Sequence, residues 1–340
     1  MAIQLVIRSL PLVFWLVLCL IDTPDLAALA TASDNAEKSQ KALIIDGQNN
    51  HAEWPKTTVM MKQYLEEHGG FDVDVARTQF TWKGGELLKE FPLGDGKQYE
   101  DLKKPKSDPD FAPDFSQYQV VVSNFGYNAA PWSEATQKAF DDYVSGGGGL
   151  VIVHAANNSF GDWKAFNLMI GLGGWGGRNE KSGPYLYMDK SGETVRDTSP
   201  GSGGGHGPQH EYQIVTREPD HPVMKGLPAS WLHAKDELYH ALRGPAENVK
   251  ILATAFSAKK HKGTDRHEPM IMTIDYGKGR VFHTPMGHAG YSMECVGYLT
   301  VFVRGTQWAA SPDAELMPIP ADFPGRDKTS SRKFKQLVKQ

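Results

Sequence analysis

The chain has 340 residues, 40% hydrophobic and 22% charged, with a formal net charge of −4 when its twelve histidines are neutral. That is ordinary globular composition, enough for one large core or two modest ones. No basic stripe runs along the sequence, so nucleic acid is not expected as a partner.

In chain order, residues 1–32 read as a secretory signal rather than as fold. Arg8 precedes an apolar run from Leu10 to Ile21, which is short for a membrane span, and Asp22 follows it. Ala28-Leu29-Ala30 and Ala30-Thr31-Ala32 both fit a small-x-small cleavage site. The expected location is therefore periplasmic or secreted, with no membrane contact after the signal is removed. Cys19 would leave with the signal, so Cys295 is the one mature cysteine and no internal disulfide forms. Residues 33–40 are a polar leader.

"KALIIDG" (41–47) is a buried strand ending in a glycine turn. A helix follows through "PKTTVMMKQYLEEH", with Pro55 in its first turn and Gly69-Gly70 closing it. "FDVDVARTQ" is a second strand, and this β-α-β start predicts a parallel sheet. Residues 80–113, rich in Pro, Gly and Lys, predict an excursion over the surface. "YQVVVSNFG" (118–126) is the third strand. The helix after it has Ser133 as N-cap and runs into four glycines. "LVIVH" (150–154) is the fourth strand.

Residues 160–210 read as irregular, with a short helix near 163–170 and a mobile loop at "SPGSGGGHGPQHE". From 211 the pattern is strands: "EYQIVTRE", "VKILATAFSA", and a hairpin turning at Gly277-Lys278-Gly279. "CVGYLTVFVRGTQWAA" is a closing helix. Residues 311–340 form a tail whose basic end reads as a solvated terminus. No internal repeat or second domain is apparent.

Ligands of open α/β sheets sit beyond the carboxyl ends of the strands. Those ends carry polar residues here: Gln48 to His51, Ser123 to Gly126, His154 to Asn158, and His283 to His288. They predict one pocket mouth. The glycine run 146–149 precedes a strand instead of opening a helix, which excludes a phosphate-cradling loop.

"GGGGLVIVHAANNSF", Trp163, "DHPVMKGLP", "KDELYH" and "YGKGRVFHTPMGHAGYS" appear in the order found in the ThuA-like (trehalose utilisation) family. The sequence resembles that family over residues 41–310. The resemblance implies an α/β, flavodoxin-like fold of the class I glutamine amidotransferase type. That fold is a mostly parallel sheet with helices on both faces and, here, a C-terminal β-hairpin. In those amidotransferases the strand-to-helix elbow carries a nucleophilic Cys. This chain has His154-Ala155-Ala156 there, so a Cys-dependent amidotransferase is excluded. Cys295, far along the chain, reads as a buried inert thiol.

The landmarks select His154, Glu237 and His288 as catalytic candidates. In an extended "KDELYH" only one of Asp236 and Glu237 need enter the pocket, and Glu237 is the choice. Asn50, His51, Asn124, Trp163 and Tyr239 are candidates for holding substrate. His206 and His210 are four apart but lie in a Gly/Pro loop, which gives them no shared face. Should a divalent metal bind, His154, Glu237 and His288 are the better ligands. The family implies a small carbohydrate as partner. The function expected is acid–base chemistry on a keto-sugar or disaccharide derivative. A non-catalytic sugar-binding protein and a metal-dependent hydrolase are the alternatives.

Overall fold

The computed structural model describes Met1 and residues 40–336. Residues 2–39, which carry the expected signal and leader, and residues 337–340 lie outside the described part.

The sheet begins in its middle. β1 (Gln40–Gln48) is apolar on both faces, as a strand covered on both sides must be. Helix α1 (Trp54–His68) returns the chain to β2 (Phe71–Trp82), which pairs parallel with β1, and the short β3 (Glu100–Leu102) extends that side. The chain then crosses to the other side of β1. There β4 (Val120–Ser123), helix α2 (Glu134–Ser145) and β5 (Gly149–Val153) follow. The Ser133 hydroxyl accepts from Thr136 N at 3.2 Å, so the expected cap forms. Order therefore reverses between β1 and β4, the point at which such sheets form a ligand crevice.

The central sheet is a mostly parallel one flanked by helices. Alternate side chains of its strands enter two separate cores. Ala42, Ile44, Val122 and Val151 pack with Met60 and Leu65 of α1 and with the buried side of α4 (Val296–Ala310). Leu43, Ile45, Val121 and Ile152 pack with Phe140 of α2 and with Phe166 and Met169 of α3 (Lys164–Ile170). Within this frame Asp46 is fully buried and takes a two-pronged bond from Arg77 (2.9 and 2.8 Å) and one from Thr58 (2.7 Å). It ties β1, β2 and α1 together next to the turn that carries His51.

Chain segments that read as irregular hold further strands. Within 160–210 lie β6 (Tyr185–Met188) and β7 (Thr194–Asp197), an antiparallel ribbon, and β8 (Gly205–His206). Beyond them come β9 (His210–Thr216), β10 (Ser230–Asp236), β11 (Tyr239–His240), β12 (Val249–Phe256), β13 (His267–Tyr276) and β14 (Gly279–Thr284). β14 adds parallel to β5, and from there the sheet continues antiparallel through β13, β12, β9 and β10.

Two expectations need correction. The glycine loop near 205 is tied down, because β8 pairs antiparallel with β11, placing His206 opposite Tyr239. The tail, as far as residue 336, is not a solvated end. Leu232 N donates to Gly325 O, Val296 N to Ser330 O, and Lys333 Nζ to Glu294, while Phe323 packs 5.4 Å from Trp231. Its backbone covers part of the β10 edge, where unpaired strand groups would otherwise stand open. No helix among the described residues is long and apolar enough to cross a membrane.

Candidate active site

His154 directly follows β5, and its φ of +44° is in the left-handed region that non-glycine residues avoid. Such strain, costing about 1–3 kcal/mol, persists only where surrounding structure enforces it. Here the ring is buried and its Nδ1 lies 2.7 Å from Pro285 O. A carbonyl only accepts, so Nδ1 carries the proton and the Nε2 lone pair is free. Nε2 has no hydrogen-bond partner and faces Glu237 Oε2 at 3.7 Å. Burial, reinforced by the nearby His51, pushes the His154 pKa down to about 3. The imidazole is neutral.

Three more side chains meet it. His51, in the turn after β1, turns Nδ1 to Asn49 Oδ1 (3.2 Å) and Nε2 toward Glu237 Oε2 (3.9 Å). Asn49 is itself fixed by donating to the carbonyls of Asn124 and Phe125. His288 follows β14, and its Nδ1 lies 3.1 Å from the same carboxylate oxygen, angled wrongly for a hydrogen bond. The three imidazole centroids are 4.7 to 5.3 Å apart, ring edge to ring face. Burial opposes the charge on Glu237, but the close His288, His51 and His154 outweigh it and hold the carboxyl below its usual range. One ligand atom from each of His51, His154, Glu237 and His288 lies within 4.8 Å of all the others.

This arrangement fits a metal ion. Three buried atoms, His154 Nε2, His288 Nδ1 and Glu237 Oε2, have no hydrogen-bond partner and converge on one point. Ligands about 2.1 Å from one ion stand roughly 3.4 Å from each other in a tetrahedron; here Glu237 Oε2 lies 3.1 to 3.9 Å from the three histidines, and the whole set spans 4.8 Å. His154 and His51 also direct their other ring nitrogen to a fixed oxygen, as metal-binding histidines do. Three imidazoles and one carboxylate suit a first-row transition ion better than calcium or magnesium. A cavity of about 10 Å³ lies against the histidines, lined also by Trp54, Thr57 and Asn124.

Asp236 holds this cluster in place. It is fully buried and accepts from Gly287 N (2.8 Å), His288 N (3.1 Å), Glu237 N (2.9 Å) and His233 Nε2 (2.9 Å). Three of these donors are backbone N–H groups of the segments that present Glu237 and His288. Gly287 has φ +99° and no room for a Cβ, which would meet the Tyr298 ring at 2.8 Å. The antiparallel half of the sheet curls back so that the end of β10 meets the turn after β14, bringing Glu237 over the parallel strands.

The structure thus brings His154, Glu237 and His288 together and adds His51, expected as a substrate contact, as a fourth ligand candidate. Tyr239 forms the wall, its ring 4.3 Å from His154. Asn124 lines the small cavity, but its amide is used in donating to Trp54 O, Thr57 and Thr58, so it braces the site. Asn50 turns away and accepts from Tyr127 N. Trp163 is not at the cluster. It packs with Trp132, Phe140, Phe160 and Phe166 and lines a different cavity.

His206, which the sequence gives no shared face with His210, stands 3.7 Å from Glu237 Oε1, while His210 stacks on His261. Asp236 was passed over as the unused neighbour of Glu237. Cys295 is buried as expected, but it lies beside His233, whose charge and hydrogen bond outweigh burial and lower the thiol pKa. No local sequence signal joins positions 233 and 295.

The strand ends define a class: an α/β protein with a three-histidine, one-glutamate cluster at the carboxyl ends of its parallel strands. The sequence pattern of the ThuA family, described as trehalose utilisation, matches residues 96–309. A ThuA-like protein of Parabacteroides merdae has 42% identity, with a TM-score of 0.76 over 88% of this chain and 100% of that one. A second ThuA-like structure, from Bacteroides uniformis, is 17% identical with a TM-score of 0.49, over 82% of this chain and 93% of that one. No curated protein matches the chain. The chain belongs to the ThuA family.

Proposed function

We propose that this protein is a divalent-metal-dependent enzyme of carbohydrate utilisation, acting on a keto-sugar or a disaccharide derivative. The observation that carries the reading is the convergence of His51, His154, Glu237 and His288, from separate strand ends, with buried nitrogen and oxygen atoms left unpartnered. This reassigns the expected acid–base trio. A neutral, buried imidazole whose lone pair faces a carboxylate is built to hold a cation, not to meet a substrate proton. A bound ion would supply Lewis-acid polarisation of a sugar oxygen.

The chain's own proton-transfer group is His206. Its side chain is 39% exposed at the rim of the cluster, and its Nδ1 stands 3.7 Å from Glu237 Oε1 and 3.0 Å from Gly207 O, so Nδ1 carries the proton. Proton abstraction beside a carbonyl serves isomerisation and elimination, and the same groups serve hydrolysis.

The test is a panel of disaccharides and their 3-keto forms, with and without chelator, followed by ion add-back. Turnover that stops on chelation and returns with the ion is expected. Turnover indifferent to chelation sinks the metal reading, and binding without any turnover favours the sugar-binding alternative. We further propose export through the N-terminal segment, from its Arg8 and its apolar run. The intact mass of protein from the native envelope should show the signal removed between Ala30 and Ser33. Retention of Met1 through Ala28 argues instead for an anchor.

A further inference from the structure

Behind Asp236 lies a second tie between the segments that carry Glu237 and His288, and its centre is the Cys295 sulfur. Cys295 ends the stretch that begins at His288. The short helix Gly290–Met293 follows the histidine, and Cys295 is then the N-cap of α4. It is fully buried, and the C-terminal tail closes over it: Ser331 is bridged to Cys295, and Val296 N donates to Ser330 O (2.9 Å). Neither substrate nor solvent reaches this thiol. Any part it plays at the site is therefore played through its neighbours.

Those neighbours are N–H groups. The N–H of Tyr298 faces the sulfur, and at the third position of α4 it has no carbonyl of its own helix to bond. The N–H of Ala234 faces it from β10, where the register with β9 breaks between His233 and Asp236. The third is His233 Nδ1. This ring is fully buried and gives Nε2 to Asp236, and its Nδ1 meets, among the described residues, no partner in standard hydrogen-bond geometry. What lies against it is the Cys295 sulfur, a soft acceptor that tolerates a looser contact. Donors from β10 and from the start of α4 thus converge on one sulfur. A thiol buried as a small hydrophobe would call for none of them. Burial raises the thiol pKa, but His233 and the two N–H groups outweigh it and bring it below the ordinary value.

The register break turns the end of β10, so that Asp236 meets the turn after β14 and Glu237 meets the histidines. A ladder is locally disrupted at such a break, and here the sulfur braces it from behind. We infer that Cys295 is a positioning residue for the ion site: its sulfur holds His233 and the irregular end of β10 against the start of α4, and through them sets Glu237 relative to His288. The sulfur accepts and His233 Nδ1 donates, so the pair is thiolate and imidazolium. This rests on the ion-site reading above and deepens it, because it names what keeps two of the ligands in register.

The test compares Cys295→Ala, Cys295→Ser and Val303→Ala with wild type, each as full mature chain stripped of ion. The probe is manganese, for which thiolates are poor ligands, so that a lost position is not confused with a lost sulfur ligand. Cys295→Ala is expected to weaken manganese binding about tenfold, the low end for groups that stand behind a metal ligand, and Cys295→Ser to recover most of that. Val303, buried farther along α4, is the packing control: its alanine variant should lose stability and keep its affinity. If Cys295 only filled space, serine would do worse than alanine, because a buried hydroxyl without a partner costs more than a methyl group. Nitrogen NMR of the wild-type histidines is the second measurement, and it holds even where Cys295→Ala does not fold. Both ring nitrogens of His233 should carry protons, and a bare Nδ1 overturns the proposal. Unchanged affinity in folded Cys295→Ala, or serine weaker than alanine, overturns it and leaves the ion site standing. Equal weakening in all three variants overturns it as general loosening. Failure of wild type to bind manganese or zinc overturns the ion site and this proposal together.

Discussion

Glu237→Gln is expected to lower divalent-ion affinity by at least about 100-fold. Changes to residues that only support a metal ligand already cost 10–100-fold, and Glu237 is placed as a ligand. It is also the one negative charge among the four converging side chains. Gln keeps the shape and loses the charge, so any change reports electrostatics and donor strength rather than a cavity. Ion content by elemental analysis and affinity by titration with zinc or manganese give the direct readout.

Thermal unfolding gives a second, independent one. An ion held only by the folded chain stabilises it by about 2.7 kcal/mol when present at 100 times its Kd. Wild type should show that upward shift on ion addition, and Glu237→Gln should show almost none at the same concentration. Equal ion content in the two proteins would remove Glu237 from the ligand set.

The parallel half of this fold was legible because local rules decide it. Apolar runs at β1, β4 and β5 are long enough to be buried on both faces, and Ser133 and Pro55 mark helix starts by their own chemistry. His154 could be singled out because a polar ring ends a strand that is otherwise apolar. What local rules do not decide is how the antiparallel half closes. Glu237 reaches the histidines only because β10 curls back over the turn after β14, a contact between positions about 50 apart.

His51 is legible in the sequence as a substrate contact and not as a fourth ligand candidate, because its distance from His154 depends on β4 lying between β1 and β5. Asp236 was discarded on correct strand geometry. Adjacent side chains do diverge, but the diverging carboxylate found four donors of its own. His206 was missed for a related reason, since a Gly-rich loop gives no periodicity to read and its pairing with Tyr239 is set across the site.

Asp236→Asn is expected to cost about 3–5 kcal/mol of folding stability, the range for removing one member of a buried ion pair. Each Asp236 oxygen accepts two hydrogen bonds: Oδ2 from His233 and Gly287 N, Oδ1 from Glu237 N and His288 N. Asn retains one acceptor and turns an NH₂ donor toward former donors, so at least one backbone N–H loses its partner in a fully buried site and the charge that pairs with His233 is gone. His288 and Glu237 then lose the anchor that presents them, and ion affinity should fall together with stability.

The pH dependence distinguishes this from a general packing defect. Burial opposes the Asp236 charge, but the His233 hydrogen bond and charge outweigh it and hold its pKa below the ordinary value of 3.8. A depressed carboxylate contributes stability that is complete above its unfolded pKa and is lost as pH falls through the folded one. Urea unfolding should therefore show the full gap between wild type and Asp236→Asn at pH 5.5, with closure below about pH 4; above about pH 6.5 the gap narrows, because His233, raised to about 10 in part by its pairing with Asp236, keeps a proton that the unfolded chain gives up. A gap that has already vanished at pH 5.5 would mean that Asp236 takes up a proton in the ordinary range or above. The four-donor anchor would then not be holding a carboxylate.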